Sequence, residues 1–371
     1  MSEVYEISVV IGTHNRSDKL YRALESVLDQ QSEGARYEVI VVDNNSTDNT
    51  QEIVQGFIKR GHSNLTYVFE EKRGVSYARN TGLARAQAPI IAFADDDVRV
   101  AADWIVRIKK EFTEHPEVNF VGGKILPKWP AAPPAWLTRD HWWALALLDY
   151  GDEPFYVDAD NPLCLPTANC AFRSELFARF GPFSPQFSGR EDHEFLLRLW
   201  SEGVRGMYAP NILVTAEVQP ERLKKKYHRR WSNTTGKFNS LMRLNERMNA
   251  DGRIVEEQED EATMFGVPAF IYRSLLVGGL AVIWSTLLAR REASLRHKHY
   301  IWYLMGYIGK RYEQNASQRG HSAVSEIAQF VKALVRKKVS SRERQQAARL
   351  ASDKRADDHR RHMNLDSREF L

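Results

Sequence analysis

Three consecutive carboxylates follow an apolar run near residue 95. The segment PIIAFADDDVRV places Asp95, Asp96 and Asp97 directly after it. Adjacent like charges raise one another's pKa unless a positive group lies close, and carboxylate oxygens suit Mg²⁺ or Mn²⁺. In an extended chain Asp95 and Asp97 share one face while Asp96 faces away. Asp97 is therefore the predicted metal ligand and Asp95 is placed to reach a ribose, with an aspartate-rich surface turn as the alternative.

Two further polar clusters follow apolar runs earlier in the chain. The segment GTHNR contains Thr13 and Arg16, and it offers backbone N–H groups beside a guanidinium. Asp43 begins the segment DNNSTD, where a carboxylate can accept hydrogen bonds from a nucleobase or a ribose. The same residue types form turns and helix N-caps, so a structural role for Asp43 is the alternative.

An acidic pair, Glu191 and Asp192, lies in the segment GREDHEF. The pattern places both residues at the start of a helix, where the helix dipole favours ionised carboxylates. Such a pair can supply a general base. Acids that only cap the helix are the alternative.

The elements that would position these groups alternate regularly in the first hundred residues. Predicted strands are EISVVIGTH, YEVIVVDNNS, NLTYVFEE and PIIAFADDD, and predicted helices are DKLYRALESVLDQQ, TDNTQEIVQGFIKR and SYARNTGLARAQ. Apolar strands separated by amphipathic helices indicate βαβ units, an α/β fold class and a parallel sheet. Ligands of such sheets bind at the carboxyl ends of the strands, so we expect the polar clusters to converge there.

The second part of the chain, about residues 118–211, is rich in aromatic residues. Its final helix is predicted to bury Phe195, Leu196, Leu199 and Trp200 on one face. Four tryptophans crowd one earlier segment, and they are suited to stack on an acceptor sugar or to lie at a membrane interface. Core packing is the alternative for at least two of these residues: Trp129, Trp136, Trp142 and Trp143.

Composition limits the classes of partner and compartment. The formal net charge of +4 over 371 residues is small, so nothing favours nucleic acid as a partner. The only cysteines are Cys164 and Cys170, which favours a reducing compartment. The start MSEVYEISVV lacks the basic and apolar regions of a signal peptide. We therefore expect a cytoplasmic chain.

One C-terminal segment complicates that expectation. Residues 267–289 carry Arg273 as their only charge, and their length would allow a membrane span. Basic and aromatic flanks favour a helix in the membrane interface, and a buried helical hairpin is the alternative. The basic run at 224–230 could contact a diphosphate, attract anionic lipid or form a solvated helix face. The charged residues 336–371 are predicted to be a frayed helix or a disordered tail.

Together these segments resemble the family 2 glycosyltransferases. The matching stretches are SVVIGTHNR, EVIVVDNNSTDNT, GVSYARNTGLARAQAPIIAFADDD and TANCAFRSELFARFGPFSPQFSGREDHEFLLRLWSEG, in the family's order over about residues 8–210. The resemblance implies a GT-A fold, a Rossmann-like and mostly parallel central sheet flanked by helices with a helical C-terminal extension. It implies a catalytic domain over 1–215, divided into a nucleotide-binding half (1–117) and an acceptor-binding half (118–215), followed by a helical region (216–335) that is a candidate for membrane association.

The resemblance also implies an activity and roles for the site residues. We expect inverting transfer of a sugar from a nucleotide-diphosphate donor, preferably a UDP-sugar, to a saccharide or lipid-linked acceptor of envelope or exopolysaccharide synthesis. Mn²⁺ or Mg²⁺ is the implied cofactor, and the inner face of the cell membrane is a candidate location. The implied roles are nucleotide binding by Thr13, Arg16, Asp43, Asp95 and Asp96, metal binding by Asp97, and base catalysis by Asp192 with Glu191 assisting.

Two departures from the family pattern affect these expectations. Relatives often carry a histidine near Glu217, so here Glu217 or His228 would serve as the third metal ligand. Processive synthases of the family carry a Gln- or Arg-x-x-Arg-Trp motif and several membrane spans. This chain has YHRRW, ending at Trp231, without such a set of spans, which favours addition of a single sugar.

Two other classes remain as alternatives. A sugar-phosphate nucleotidyltransferase would carry a glycine-rich loop after the first strand, where this chain has only Gly12. A catalytically silent nucleotide-binding scaffold is consistent with the missing histidine. A P-loop nucleotidase is disfavoured, because no G-x-x-x-x-G-K-[ST] motif occurs.

Overall fold

The computed structural model describes residues 5–187, 189–242 and 263–316, and the predicted tail at 336–371 lies outside them. The strands are β1 (Ile7–Thr13), β2 (Tyr37–Asp43), β3 (Leu65–Phe69), β4 (Ile90–Ala94), β5 (Val98–Val100), β6 (Phe120–Lys128), β7 (Phe155–Val157), β8 (Asn169–Arg173), β9 (Gly206–Glu217), β10 (Thr263–Met264) and β11 (Val267–Pro268). The helices are α1 (Ser17–Leu28), α2 (Thr50–Lys59), α3 (Val75–Arg85), α4 (Trp104–Glu114), α5 (Glu175–Phe180), α6 (Glu191–Ser201), α7 (Lys225–Leu241), α8 (Ala269–Leu287) and α9 (Arg291–Ala316).

The central sheet has the order β3-β2-β1-β4-β8-β6-β9-β5, and β7 pairs with β9. Strands β1 to β4 are mutually parallel, whereas β8 runs antiparallel between β4 and β6. The predicted alternation of strands and helices and the mostly parallel sheet are confirmed. The register pairs Thr13 with Asp43, so the polar clusters after β1 and β2 lie at one edge of the sheet.

The hydrophobic pattern explains why these elements form. Six of the seven residues of β1 are buried, because helices cover both faces of a parallel sheet. Helix α1 buries Leu20, Leu24 and Val27 at helical spacing. In α6 the residues predicted to face the core are all buried: Phe195, Leu196, Leu199 and Trp200.

Helix α3 lies unusually close to the sheet. A Cβ atom on Gly82 would stand 2.3 Å from Cγ1 of Val10 in β1. The buried face of α3 is otherwise formed by Ser76, Ala78 and Arg79. Small residues allow this close approach, and as a result a long arginine side chain is buried beside the end of β4.

The C-terminal helices pack on the sheet-containing part through a cluster of histidines. His141 belongs to the 3₁₀ turn Arg139–Leu145, His228 to α7 and His299 to α9. The His299 ring centroid lies 5.3 Å from that of His141 and 5.6 Å from that of His228. Burial lowers the pKa of His228 and of His299 to about 4, so both rings are neutral at pH 7.

Helix α8 packs against α9 and leaves one apolar face uncovered by the described residues. Leu276, Leu280, Trp284 and Leu287 on this face are between 66% and 73% exposed. In the described ranges α8 is the one helix long and apolar enough to cross a membrane. The helical hairpin formed by α8 and α9 is therefore not a buried one, and membrane association stays a prediction.

Helices α7 and α9 touch backbone to backbone at two glycines, and this contact gives a stability prediction. A Cβ atom on Gly306 would stand 2.0 Å from the carbonyl oxygen of Asn233, whereas a Cβ on Gly309 would meet nothing within 4 Å. We expect Gly306→Ala to force the helices apart and to lower the thermal unfolding midpoint by roughly 5 °C. Gly309→Ala is the matched control and should leave the unfolding midpoint unchanged or raise it, since glycine is less favourable than alanine in a helix by about 1 kcal/mol. Equal effects of the two substitutions, measured by calorimetry, would contradict the close contact.

Candidate active site

A cleft of about 620 Å³ opens at the carboxyl ends of β1, β4 and β9. Most of the predicted site residues line it: Arg16, Asp95, Asp97, Glu191, Asp192 and Glu217. The other predicted residues, Thr13, Asp43 and Asp96, are buried at the same edge of the sheet and are not part of the lining. The structure thus brings both predicted halves of the site together.

The three carboxylates after β4 point in different directions. The strand ends at Ala94, so Asp95 to Asp97 form a turn and not the extended segment that the sequence suggested. Asp96 is buried, accepting hydrogen bonds from Thr13 Oγ1 at 2.8 Å and from Arg16 Nη1 at 2.9 Å. Burial raises the pKa of Asp96 to about 6, although the charge of Arg16 opposes this. Asp95 and Asp97 face the cleft, and the roles predicted for them in ribose and metal binding stay predictions.

Asp95 and Asp97 form an incompletely neutralised acidic pair in the cleft. Burial raises the pKa of Asp97, and the charge of Asp95 raises it further against the opposing effect of Arg16. Arg16 approaches Asp97 only to 3.4 Å. A divalent cation would supply the missing positive charge, and cations of this kind are commonly held by one or two carboxylates together with substrate phosphates. The donor set therefore fits Mn²⁺ or Mg²⁺ bound jointly with a diphosphate.

Neither candidate for a third metal ligand offers a free coordinating group to the cleft. Glu217 lines the cleft, but its carboxylate lies 2.9 Å from Arg22, 3.3 Å from Lys128 and 3.8 Å from Arg99. Burial alone would raise the pKa of Glu217, and the hydrogen bond with Lys128 and the neighbouring positive charges outweigh it and lower that pKa. His228 is buried away from the cleft, with Nε2 2.9 Å from the carbonyl oxygen of Arg222. Within the described ranges, no group of three or more histidine, cysteine or acidic residues could hold a metal.

Asp43 organises the turn after β2. Its Oδ1 accepts a hydrogen bond from the Ser46 backbone N–H at 2.9 Å, and its Oδ2 accepts one from the Tyr67 hydroxyl at 2.8 Å. Burial and the adjacent Asp43 carboxylate raise the pKa of Tyr67. The turn role that the sequence left open is therefore observed, and contact between Asp43 and a nucleoside stays a prediction.

Arg79 of α3 is a site residue that the sequence did not identify. Its Nη2 lies 3.0 Å from Asp95 Oδ1, and its Nη1 pairs with Glu191. The arginine side chain is 9% exposed and that of Glu191 3%. Burial raises the pKa of Glu191, although the charge of Arg79 opposes this. Arg79 thus joins the carboxylates after β4 to the start of α6.

A sequence signal for Arg79 existed in the segment SYARNTGLARAQ. Its small residues predict a helix face that lies close to the sheet, as Gly82 and Ala78 do. An arginine on such a face is buried, and a buried guanidinium requires carboxylate partners. The sequence thus signals a buried arginine that needs acidic partners, and the tertiary structure selects Asp95 and Glu191 among the 48 acidic residues.

Glu191 and Asp192 have different environments at the start of α6. Glu191 Oε2 also accepts a hydrogen bond from the Gly189 N–H at 2.5 Å, so both of its oxygens have partners. Asp192 lines the cleft and accepts a hydrogen bond from the His193 backbone N–H at 2.8 Å. In the described part of the chain no side chain donates to its carboxylate. Asp192 is therefore available to a substrate, whereas Glu191 fixes the start of α6 through its contacts with Arg79 and Gly189.

Aromatic and basic side chains form the wall of the cleft near α7. The ring centroids of Trp143 and Trp231 are 4.2 Å apart, and the Arg190 guanidinium lies 4.3 Å from the Trp231 centroid. Trp142 and Tyr227 also line the cleft. Trp129, Trp136 and Trp142 are partly buried against the core, as the core-packing alternative expected. Stacking of Trp142 or Trp143 on an acceptor sugar stays a prediction.

The sheet topology, with acidic turns at the strand ends, is the GT-A fold of the glycosyltransferases. The mannosyltransferase PcManGT from Pyrobaculum calidifontis, solved in complex with GDP-Man and Mn²⁺, shares this fold with a TM-score of 0.52 and 16% sequence identity, over 90% of this chain and 81% of that one. The predicted fold class is confirmed.

Sequence comparisons then assign a segment in the first half of the chain to a family. The model of glycosyl transferase family 2 matches residues 8–181, and this segment is a domain of that family. Two relatives come from Haloferax volcanii. Glycosyltransferase AglE is 27% identical over 224 residues, covering 60% of this chain and 70% of AglE. A glucosyl-dolichyl phosphate glucuronosyltransferase is 26% identical over 189 residues, covering 50% of this chain and 58% of that protein. The chain spans 70% of the length of the first of these relatives and 58% of the second.

Removal of Arg79 should leave the buried carboxylate of Glu191 without a cation. We expect Arg79→Met to lower the free energy of unfolding by about 3–5 kcal/mol at neutral pH. Without the arginine the pKa of Glu191 rises further above its unfolded value, so the variant loses stability as pH rises through that pKa and recovers some on acidification. The measurement is urea denaturation at about pH 7.5 and about pH 5.

Two further variants make the Arg79 experiment specific. Adding Glu191→Gln to Arg79→Met should restore part of the lost stability at neutral pH, because it removes the buried charge. Arg107→Met breaks a surface pair with Asp103 and should cost less than about 1 kcal/mol. A loss from Arg79→Met no larger than the loss from Arg107→Met would refute the bridging role.

Proposed function

We propose that the chain is an inverting, metal-dependent glycosyltransferase that adds a single hexosyl group. The donor is a nucleotide-diphosphate sugar, preferably a UDP-sugar, and the acceptor is a saccharide or a lipid-linked saccharide of envelope or exopolysaccharide synthesis. One observation carries the proposal. A single cleft has Asp95 and Asp97 on one wall and Asp192, with no side-chain partner among the described residues, on another.

The donor binds at the carboxyl ends of β1 and β4. Asp97 would hold Mn²⁺ or Mg²⁺ together with the donor diphosphate, and Asp95 would reach the ribose. A bound cation would neutralise the charge of the departing nucleotide. Arg16 and Arg222 line the same part of the cleft and add positive charge. Asp96 does not face the donor; its hydrogen bonds hold Thr13 and Arg16 in place.

The acceptor binds between Asp192 and the aromatic wall. Its hydroxyl oxygen forms a bond to the anomeric carbon as the bond from that carbon to the diphosphate oxygen breaks, so configuration inverts. Asp192 takes the hydroxyl proton on the face opposite the leaving group. Trp142, Trp143 and Trp231 offer faces on which sugar rings stack. Glu191 acts as a positioning residue, because Arg79 and Gly189 occupy its oxygens.

A cytoplasmic enzyme located peripherally at the inner face of the membrane suits this acceptor class. The exposed apolar face of α8 supports such a location. A relative named for a glucosyl-dolichyl phosphate substrate supports a lipid-linked acceptor. The alternative is a silent scaffold that binds nucleotide without turnover, and the cationic neutralisation of Glu217 is the observation that favours it.

Metal-dependent nucleotide binding tests the donor site. We expect calorimetric titration to show that one of UDP, GDP and dTDP binds in the presence of Mn²⁺ and that EDTA abolishes most of this binding. Asp97→Asn should remove the metal-dependent part, because it removes the charge that holds the cation. Asp103→Asn, at a surface ion pair, is the control and should change nothing. Metal-dependent binding that survives Asp97→Asn would show that the ligand lies elsewhere.

Substitution of the base tests the chemistry. We expect Asp192→Asn to lower the rate of sugar transfer by about 10²–10⁴-fold while nucleotide affinity stays the same. Glu194→Gln in the same helix, where the carboxylate pairs with Arg198, should keep full activity. An active Asp192→Asn variant would exclude the proposed base. A wild-type chain that binds nucleotide but transfers no sugar to any acceptor or to water would support the scaffold alternative.

A further inference from the structure

A second cavity of about 630 Å³ lies where α7 begins, α8 ends and α9 begins. Its charged lining is wholly basic: Lys225, Lys226, Arg229 and Lys298. The neutral lining residues include Ser285, Ser294 and Trp302, and no acidic side chain of the described residues borders it. The cavity shares no lining residue with the cleft. We call it the basic cavity.

Helix α7 separates the basic cavity from the cleft. Tyr227 and Trp231, one turn apart, line the cleft, whereas Lys226 and Arg229 line the cavity. Among the roles that the sequence left open for the run at 224–230, contact with the donor diphosphate therefore does not suit these two cations. Clustered like charges of this kind favour an anionic partner.

The basic cavity adjoins the apolar face of α8. Ser285, Thr286 and Ala289 line the cavity. Their neighbours in the same helix, Trp284 and Leu287, are 66% and 73% exposed. Leu276 and Leu280 extend the same exposure along the helix. A large exposed apolar patch marks an interaction surface, and here it ends directly at a cluster of cations.

We propose that α8 lies in the membrane interface and that the basic cavity receives the phosphate group of an anionic phospholipid. Apolar and tryptophan side chains beside lysine and arginine are the composition of an interfacial helix. Each cation near an anionic leaflet adds to the attraction. The proposal rests on the peripheral membrane location given under Proposed function and is independent of the transferase chemistry. It places the membrane on one side of α7 and the catalytic cleft on the other.

Charge argues against a second copy of the chain as the occupant. A twofold dimer uses the same patch on both copies. Pairing through the α8 face would therefore bring the basic cavities of both copies to one interface, where like charges repel. An anionic bilayer would cover the apolar face of α8 with acyl chains and pair the cations of the basic cavity with phosphate groups.

Vesicle flotation with the full chain tests the proposal. We expect binding to phosphatidylcholine vesicles that contain phosphatidylglycerol to exceed binding to pure phosphatidylcholine vesicles, and to weaken as salt increases. Lys226→Glu/Arg229→Glu should lower binding to the anionic vesicles by on the order of tenfold. The matched control Lys59→Glu/Arg85→Glu changes the net charge equally, at exposed ends of α2 and α3, and should have little effect. Leu280→Ser/Trp284→Ser should lower vesicle binding as well.

Distinct outcomes would overturn the proposal. Equal binding to neutral and anionic vesicles, or equal losses in both charge-reversal variants, would exclude the phosphate site. A different result would assign the α8 face to a second copy of the chain. In that case the chain would not bind vesicles, it would sediment as a dimer, and Leu280→Ser/Trp284→Ser would make it monomeric. Nucleotide titration of the same samples separates the two proposals. If the chain binds nucleotide but does not bind vesicles, only the lipid site is rejected. If it binds vesicles but does not bind nucleotide, only the transferase site is rejected.

Discussion

The cleft depends on one buried ion-pair network. The guanidinium of Arg79 contacts Asp95, 16 positions later in the chain, and Glu191, 112 positions later. Charges this deeply buried are tolerated only when they are paired, so α3, the turn after β4 and the start of α6 hold a fixed relation. That relation sets where Asp192 stands against the carboxylate of Asp97. The separation of Asp192 from Asp97 is thus a consequence of a contact that involves neither residue.

Environment gives carboxylates of the same type different roles. Asp96 is turned inward, where Thr13 and Arg16 satisfy it. Asp97 shares the open cleft with another carboxylate, and its raised pKa reflects burial and that repulsion. Glu217 has lysine and arginine partners that lower its pKa in spite of burial. These environments would attract a cation to the turn after β4 and not to the end of β9, although acidic oxygens occur at both places.

Helix α7 links the catalytic cleft to the surface formed by α8 and α9. One of its faces carries Tyr227 and Trp231 into the cleft, and the other carries the cations of the basic cavity. Gly236 and Gly306 allow α7 and α9 to touch through their backbones, so α7 has little room to shift. A substrate held at the membrane would approach the cleft around this helix. The C-terminal helices therefore contribute to the wall of the cleft, and in the proposed membrane location they would set its orientation.

The sequence by itself determined the strands and helices of the first half, the buried face of α6 and the strand ends at which polar clusters meet. These follow from apolar periodicity, which is a property of neighbouring residues. Only the tertiary structure decided that β8 runs antiparallel between β4 and β6, that Arg79 bridges Asp95 and Glu191, and that cations from three separate elements neutralise Glu217. Such pairings join residues far apart in the chain. Sheet order and helix packing select which residues pair, and neither can be predicted from the local sequence pattern.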